Sequence, residues 1–133
     1  MYKYMLETNF VIYVIKRRPV EMLSLFNANA GRMVLSSITL AELLHAAEKS
    51  ADAARNYRVV ENFVSRMEVL GYGAKAARHY GDIRANLELA GLPIGVNEVH
   101  IAAHARSEGL VVVTNNPVEF SRIEGLLIEN WIN

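Results

Sequence analysis

The 133-residue chain contains no cysteine, which excludes disulfides, thiolate metal sites and cysteine nucleophiles. It also lacks an excess of either charge: Lys+Arg 14 stand against Asp+Glu 14, for a formal net charge of zero. A broad basic field that would gather nucleic acid is therefore absent, and affinity for a polyanion has to come from a local patch. Long apolar runs are missing as well. The longest near the N-terminus, Phe10 to Ile15, is followed by Lys16, Arg17 and Arg18. That charge order is wrong for a signal peptide, and the run is far short of the roughly 20 residues of a membrane span. No low-complexity tract, long linker or internal repeat interrupts the chain. A single domain over residues 1–133, in the reducing cytoplasm, is the expectation. What is present is ordinary globular material, 52% hydrophobic and 21% charged, in a chain long enough to bury a core.

Periodicity divides this material into alternating strands and helices. Lys3 to Leu6 reads as a strand, with Thr8 or Asn9 capping a helix to about Lys16. Pro19 opens a second helix over Val20 to Asn27, and Arg32 to Leu35 is a second strand. Leu40 to Lys49 carries the apolar stripe of a helix for which Ser36, Ser37 and Thr39 offer caps, and another spans Ala53 to Arg66. Met67 to Leu70 is a short strand, and a long helix runs from Ala74 to Leu89. Asn97 is placed to cap a helix over Glu98 to Ser107. Leu110 to Val113 is the clearest buried strand, a β-branched run between Gly109 and Asn115. A helical turn at Glu119 to Ile123 and a strand at Leu126 to Ile128 follow. The alternation predicts an α/β fold with a mainly parallel sheet flanked by helices.

Acidic and amide residues fall where such a fold gathers them. Glu7 follows the first strand, Glu42 lies just inside the helix after the second, and Glu98 opens a helix. Thr114, Asn115 and Asn116 follow the best strand, with Glu119 just beyond. In open α/β sheets the carboxyl ends of the strands are where ligands bind. Each acid also has a plain structural explanation. Thr39 and Glu42 fit a capping box, and Glu98 complements a helix dipole. Together, carboxylates embedded in apolar sequence are costly unless they are protonated or hold a cation. Oxygen donors without cysteine suit Mg²⁺ or Mn²⁺, and such an ion serves phosphodiester hydrolysis. His100 and His104 share a helix face at a spacing that can bind zinc, but no third ligand accompanies them. Packing is the better account of both.

At these positions the chain resembles VapC toxins of the PIN-domain family. The resemblance is carried by Met5-Leu6-Glu7-Thr8-Asn9, Ser36 to Leu43, Tyr80 to Ala85, Pro93 to Glu98, Ile101 to Arg106, Val113 to Asn116 with Glu119-Phe120, and Glu129-Asn130-Trp131. It covers essentially the whole chain with the motifs in order. It implies a PIN domain, Mg²⁺- or Mn²⁺-dependent endoribonuclease activity, a VapB-like antitoxin partner and a homodimer. The most similar branch acts on initiator tRNA, so tRNA is the implied RNA substrate. Carried over residue by residue, Glu7, Glu42 and Glu98 are the implied metal ligands and catalytic acids, with Asn116 or Glu119 as a fourth position. Thr8, Asn9 and Thr114 match polar residues that line the same pocket. Lys16, Arg17, Arg18, Lys49, Arg84 and Arg106 could form a phosphate-binding rim, and of these Arg84 and Arg106 lie in matching segments.

Three departures stand out: glutamate where the family carries aspartate at 7 and at 98, and Val118 where relatives often carry arginine. An extra methylene keeps the charge and moves the carboxylate. Mg²⁺ tolerates little displacement, so a catalytically impaired protein that chiefly binds its antitoxin is the alternative expectation. Action of the same fold on DNA or on a generic single strand is a weaker one.

Overall fold

In the computed structural model, which describes residues 1–132, five parallel strands form one sheet. The strands are β1 (Tyr4–Leu6), β2 (Met33–Ser36), β3 (Glu68–Leu70), β4 (Val111–Val113) and β5 (Leu127–Glu129), in spatial order β3-β2-β1-β4-β5. The helices are α1 (Thr8–Arg17), α2 (Glu21–Ala28), α3 (Ser37–Glu48), α4 (Ala53–Val64), α5 (Ala74–Leu89), α6 (Val96–Ser107) and α7 (Pro117–Phe120). Parallel pairing forces helical crossovers onto both faces of the sheet, so the central strands are buried on both sides. β1 and β4 are accordingly buried at every position.

Two cores follow from this layering. One face packs Met5, Val34 and Val112 against Ile83 and Leu87 of α5 and Val99 to Ala105 of α6. The other packs Leu6, Leu35 and Val113 against Phe10, Val11, Met22, Leu43 and Val60. An aromatic cluster of Tyr4, Phe10, Phe26, Phe63 and Trp131 closes the second core, with T-shaped contacts such as Phe10–Trp131 at 5.9 Å. The apolar surplus near the N-terminus is thus largely interior, while Val20 and Leu23 of α2 stay exposed.

Three helix starts differ from the sequence expectation, and each difference changes an acid's role. Glu7, not Thr8 or Asn9, is the N-cap of α1, its carboxylate accepting from the Asn9 N–H at 2.7 Å. Of the three candidate caps of α3 it is Ser36 that accepts from the Ile38 N–H, so the helix starts at Ser37, and Thr39 and Glu42 lie inside it and form no capping box. α6 begins at Val96 behind an N-cap at Gly95, which leaves the Asn97 side chain free of capping duty. Serine caps as well as threonine does, and nothing local in the sequence distinguishes Ser36 from Thr39. Among the described residues no helix is long and apolar enough to cross a membrane.

Candidate metal centre

β1 is the strand at which the connections change side: its own crossover leads to β2 on one flank, while β4 lies on the other. Such a switch point leaves a crevice beyond the carboxyl ends of the strands. The crevice is bridged by a hydrogen bond across the two strands, from the Thr114 hydroxyl to Glu7 Oε1 at 2.7 Å. Thr114 Oγ1 in turn accepts from the Asn116 N–H at 2.9 Å. Glu7 is only 1% exposed. Burial raises the pKa of its carboxyl above the usual range, and the hydrogen bonds from Asn9 and Thr114 oppose that rise.

Next to Glu7 lies a cleft of about 370 Å³, lined by Glu7, Thr8, Asn9, Glu42, Gly95, Val96, Asn97 and Glu98. Glu42 reaches it from the second turn of α3. Its Oε1 accepts from the Thr8 hydroxyl at 2.6 Å, and its Oε2 accepts from Asn97 Nδ2 at 3.2 Å. Thr8 has a single hydroxyl proton, committed to Glu42, so Thr39, 3.0 Å away, is the donor in the Thr8–Thr39 contact. Asn97 and Thr39 therefore help aim Glu42. Sequence reasoning gave Asn97 a capping role and Thr39 the cap of a box, and neither assignment exposes this function.

Glu98 enters from the first turn of α6. Its Oε2 is buried and has no hydrogen-bond partner while the carboxylate is ionised. Burial first, then a hydrogen bond to Glu119 and the charges of Glu119, Glu7 and Glu42, push its pKa up to about 7. Two carboxylates can hydrogen-bond only by sharing a proton, so Glu98 and Glu119 titrate as a pair, with burial placing the rise on Glu98. The pKa of Glu119 is correspondingly lowered, through its bonds to Glu98 and to the Asn116 side chain. Among the described residues the ion pairs are Arg84–Glu88 and Arg106–Asp82, so no Lys or Arg neutralises Glu7, Glu42 or Glu98.

The fold thus brings Glu7, Glu42, Glu98, Asn116 and Glu119 together with Thr8, Asn9 and Thr114. It does not bring Arg84 or Arg106 to them. Arg106 lies eight residues beyond Glu98 on α6, roughly 12 Å along the axis. Its guanidinium is already engaged by Asp82 at 2.7 Å, His79 at 2.9 Å and the Glu124 carbonyl at 2.9 Å. Arg84 bonds Tyr80 and Glu88 on its own helix. Neither lines the acidic cleft: Arg106 ties α6 to α5 through Asp82 and His79, and Arg84 stays on the exposed face of α5. His100 and His104 are engaged in packing. His104 is buried and bonds the α3 cap through Ser36 Oγ at 2.8 Å; His100 bonds Tyr72 and stacks on Tyr80 at 4.0 Å.

The donor set fits a hard divalent cation: oxygen ligands only, clustered negative charge without ion-pair partners, and one buried carboxylate oxygen left unpartnered. Among the described residues, no three acidic or imidazole groups already converge on one point. Glu7 is held against its own helix N-terminus and Glu42 by Thr8 and Asn97.

The family model described as PIN domain matches residues 4–126. The chain is 58% identical to Ribonuclease VapC2 of Haemophilus influenzae over 99% of its length and all of that protein's. It is 51% identical to the tRNA(fMet)-specific endonuclease VapC of Shigella flexneri, covering 98% of this chain and 99% of that one. A solved structure, DNA-bound VapBC from Salmonella typhimurium, superposes with a TM-score of 0.97 at 53% identity, covering 99% of this chain and 100% of that chain.

Proposed function

The chain belongs to the PIN-domain family, among its VapC toxin ribonucleases, and we propose that its acidic cleft holds Mg²⁺ or Mn²⁺ to hydrolyse phosphodiester bonds of tRNA. The observation that carries the proposal is the set of carboxylates at the β1/β4 switch point, uncompensated by any Lys or Arg ion pair. Glu7, Glu42 and Glu98 are the proposed cation ligands. A cation bound by them would activate water at neutral pH and offset charge developing on the phosphate. The protein's own contribution is positional. Thr114 and the Asn9 amide fix Glu7, Thr8 and Asn97 fix Glu42, and Asn116 holds Glu119 beside Glu98, whose proton leaves to solvent as the cation binds.

An RNA substrate is supported by the surface next door. A groove of about 470 Å³, lined by Asn9, Ile12, Tyr13, Lys16, Arg17, Asn115 and Asn116, shares Asn9 with the acidic cleft. Lys16 and Arg17 are exposed and belong to no ion pair among the described residues. They give an electrically neutral chain a local cationic edge beside its acids. Replacing both by alanine should leave turnover at saturation unchanged and weaken binding of single-stranded RNA. The salt slope of log affinity should flatten by about 0.7 per lost phosphate contact. If the two residues only complement the α1 dipole, helix stability changes and the slope does not.

The resemblance to VapBC complexes supports a VapB-like antitoxin as partner, and a single-domain, cytoplasmic homodimer completes the proposal. The experiment is cleavage of total tRNA by the purified, antitoxin-free protein with Mg²⁺ or Mn²⁺, beside Glu42→Gln. Glutamine keeps the shape of the side chain and removes the charge, and a loss of about 10²-fold is expected. Equal cleavage by both proteins would overturn the proposal. Cleavage by neither, with antitoxin still captured, would favour the impaired binder, the reading favoured by the lack of a converged three-ligand cluster.

A further inference from the structure

Gly95 has no backbone reason to be glycine. Its φ of −58° and ψ of 144° are open to any L-residue. It is the N-cap of α6, and it gives that helix no side-chain hydrogen bond, where serine, threonine, aspartate or asparagine would. What its missing side chain leaves is space. A Cβ at this position would lie 2.6 Å from Glu98 Oε1, 3.4 Å from Cδ and 3.7 Å from Cγ. Glu98 stands three residues on, and helical side chains lean back toward the N-terminus. Its carboxylate therefore folds over the cap, with Oε1 against Gly95 and Oε2 buried without a partner. Among the described residues no other glycine has a neighbour this close: the Cβ position of Gly125 is 3.6 Å from Arg106, and the rest have nothing within 4 Å.

We propose that Gly95 is a positioning residue for Glu98, its absent Cβ forming the slot that takes up the glutamate's additional methylene and keeps the carboxylate in the acidic cleft. This rests on the cleft being the cation site. Side-chain size at 95 and arm length at 98 are then coupled. An aspartate at 98 carries its carboxylate one carbon nearer the backbone and does not reach the slot, so it tolerates a Cβ that the glutamate cannot.

The test is a cycle of Gly95→Ala, Glu98→Asp and the double variant, read by Mn²⁺ titration calorimetry and by melting in EDTA. A crystal structure of metal-free Gly95→Ala completes it. Gly95→Ala should melt within a few degrees of the parent, because alanine suits this φ/ψ and stiffens the unfolded chain but caps a helix less well than glycine. Its Mn²⁺ affinity should fall by about 10- to 100-fold, the range seen when a ligand loses its support, and its Glu98 carboxylate should leave the slot. The double variant should bind Mn²⁺ as Glu98→Asp does. An equal loss on adding the alanine to the parent and to Glu98→Asp would overturn the proposal, as would parent-like binding by Gly95→Ala. If the parent itself binds no Mn²⁺, the cation site fails independently. The Gly95→Ala crystal structure then decides the slot, and an unmoved Glu98 carboxylate overturns it.

Discussion

Glu7→Gln should lower metal-dependent RNA cleavage by about 10²-fold or more while leaving the metal-free protein folded and no less stable. Glu7 is a buried acid whose largest pKa influence is burial itself, which favours the neutral form. Glutamine is neutral and of the same length. Its carbonyl oxygen can still accept from the Asn9 N–H and keep the α1 cap, and its amide can donate to Thr114 Oγ1, which also accepts from Asn116. The sign of the pH effect follows from the raised pKa. Protonation of Glu7 stabilises the fold fully below the unfolded-state pKa, and that stability is lost as pH rises through the folded value. Glu7→Gln removes this dependence, so its melting temperature in EDTA should exceed the parent's increasingly toward alkaline pH. Melting curves from pH 5 to 9 and single-turnover cleavage rates check both halves. Near-parental cleavage would remove Glu7 from the site. A collapsed melting temperature would mean that its charge holds the structure together.

The second large effect is competition between proton and cation. The pair formed by Glu98 and Glu119 holds a proton that leaves near pH 7, because Glu98 is desolvated and faces three other carboxylates. A cation must displace that proton. Mn²⁺ affinity should therefore rise by up to about tenfold per pH unit below pH 7 and level off above it, with proton release on binding. Stability of the metal-free protein should run the opposite way. A carboxyl raised in the folded state stabilises it below the unfolded pKa and ceases to do so as pH passes 7. Glu119→Gln removes one negative charge and offers an N–H to ionised Glu98, so the midpoint should fall below 7. Calorimetry in two buffers of different ionisation enthalpy counts the protons. A flat pH profile would show that Glu98 does not ligate the ion.

These effects reflect how differently the parts of the molecule were legible in the sequence. The β-branched run Val111 to Val113 declares a strand buried on both faces. The apolar stripe of α3 and the uninterrupted stretch from Ala74 to Leu89 declare helices, and alternation of the two forces a parallel sheet. That sheet must carry ligands beyond its strand ends, so Glu7, Glu42, Glu98 and the Thr114–Asn116 segment could be placed at one edge from their positions alone.

What each acid does there was decided by tertiary contact. Glu7 became a helix cap tied to Thr114, 107 residues away, and Glu42 was aimed by Asn97 across 55 residues. Arg106 gained Asp82 as its partner because α5 and α6 pack side by side, a pairing that no local pattern announces. Local propensity sets where helices begin only to within a few residues, since serine, threonine and asparagine cap almost equally well. A shift of that size turns a capping glutamate into a free one. The two glutamates with arms longer than the family's looked misplaced as sequence. The fold accommodates both, one by capping its own helix and one by lying over a glycine, and only the neighbours that a long side chain meets could decide that.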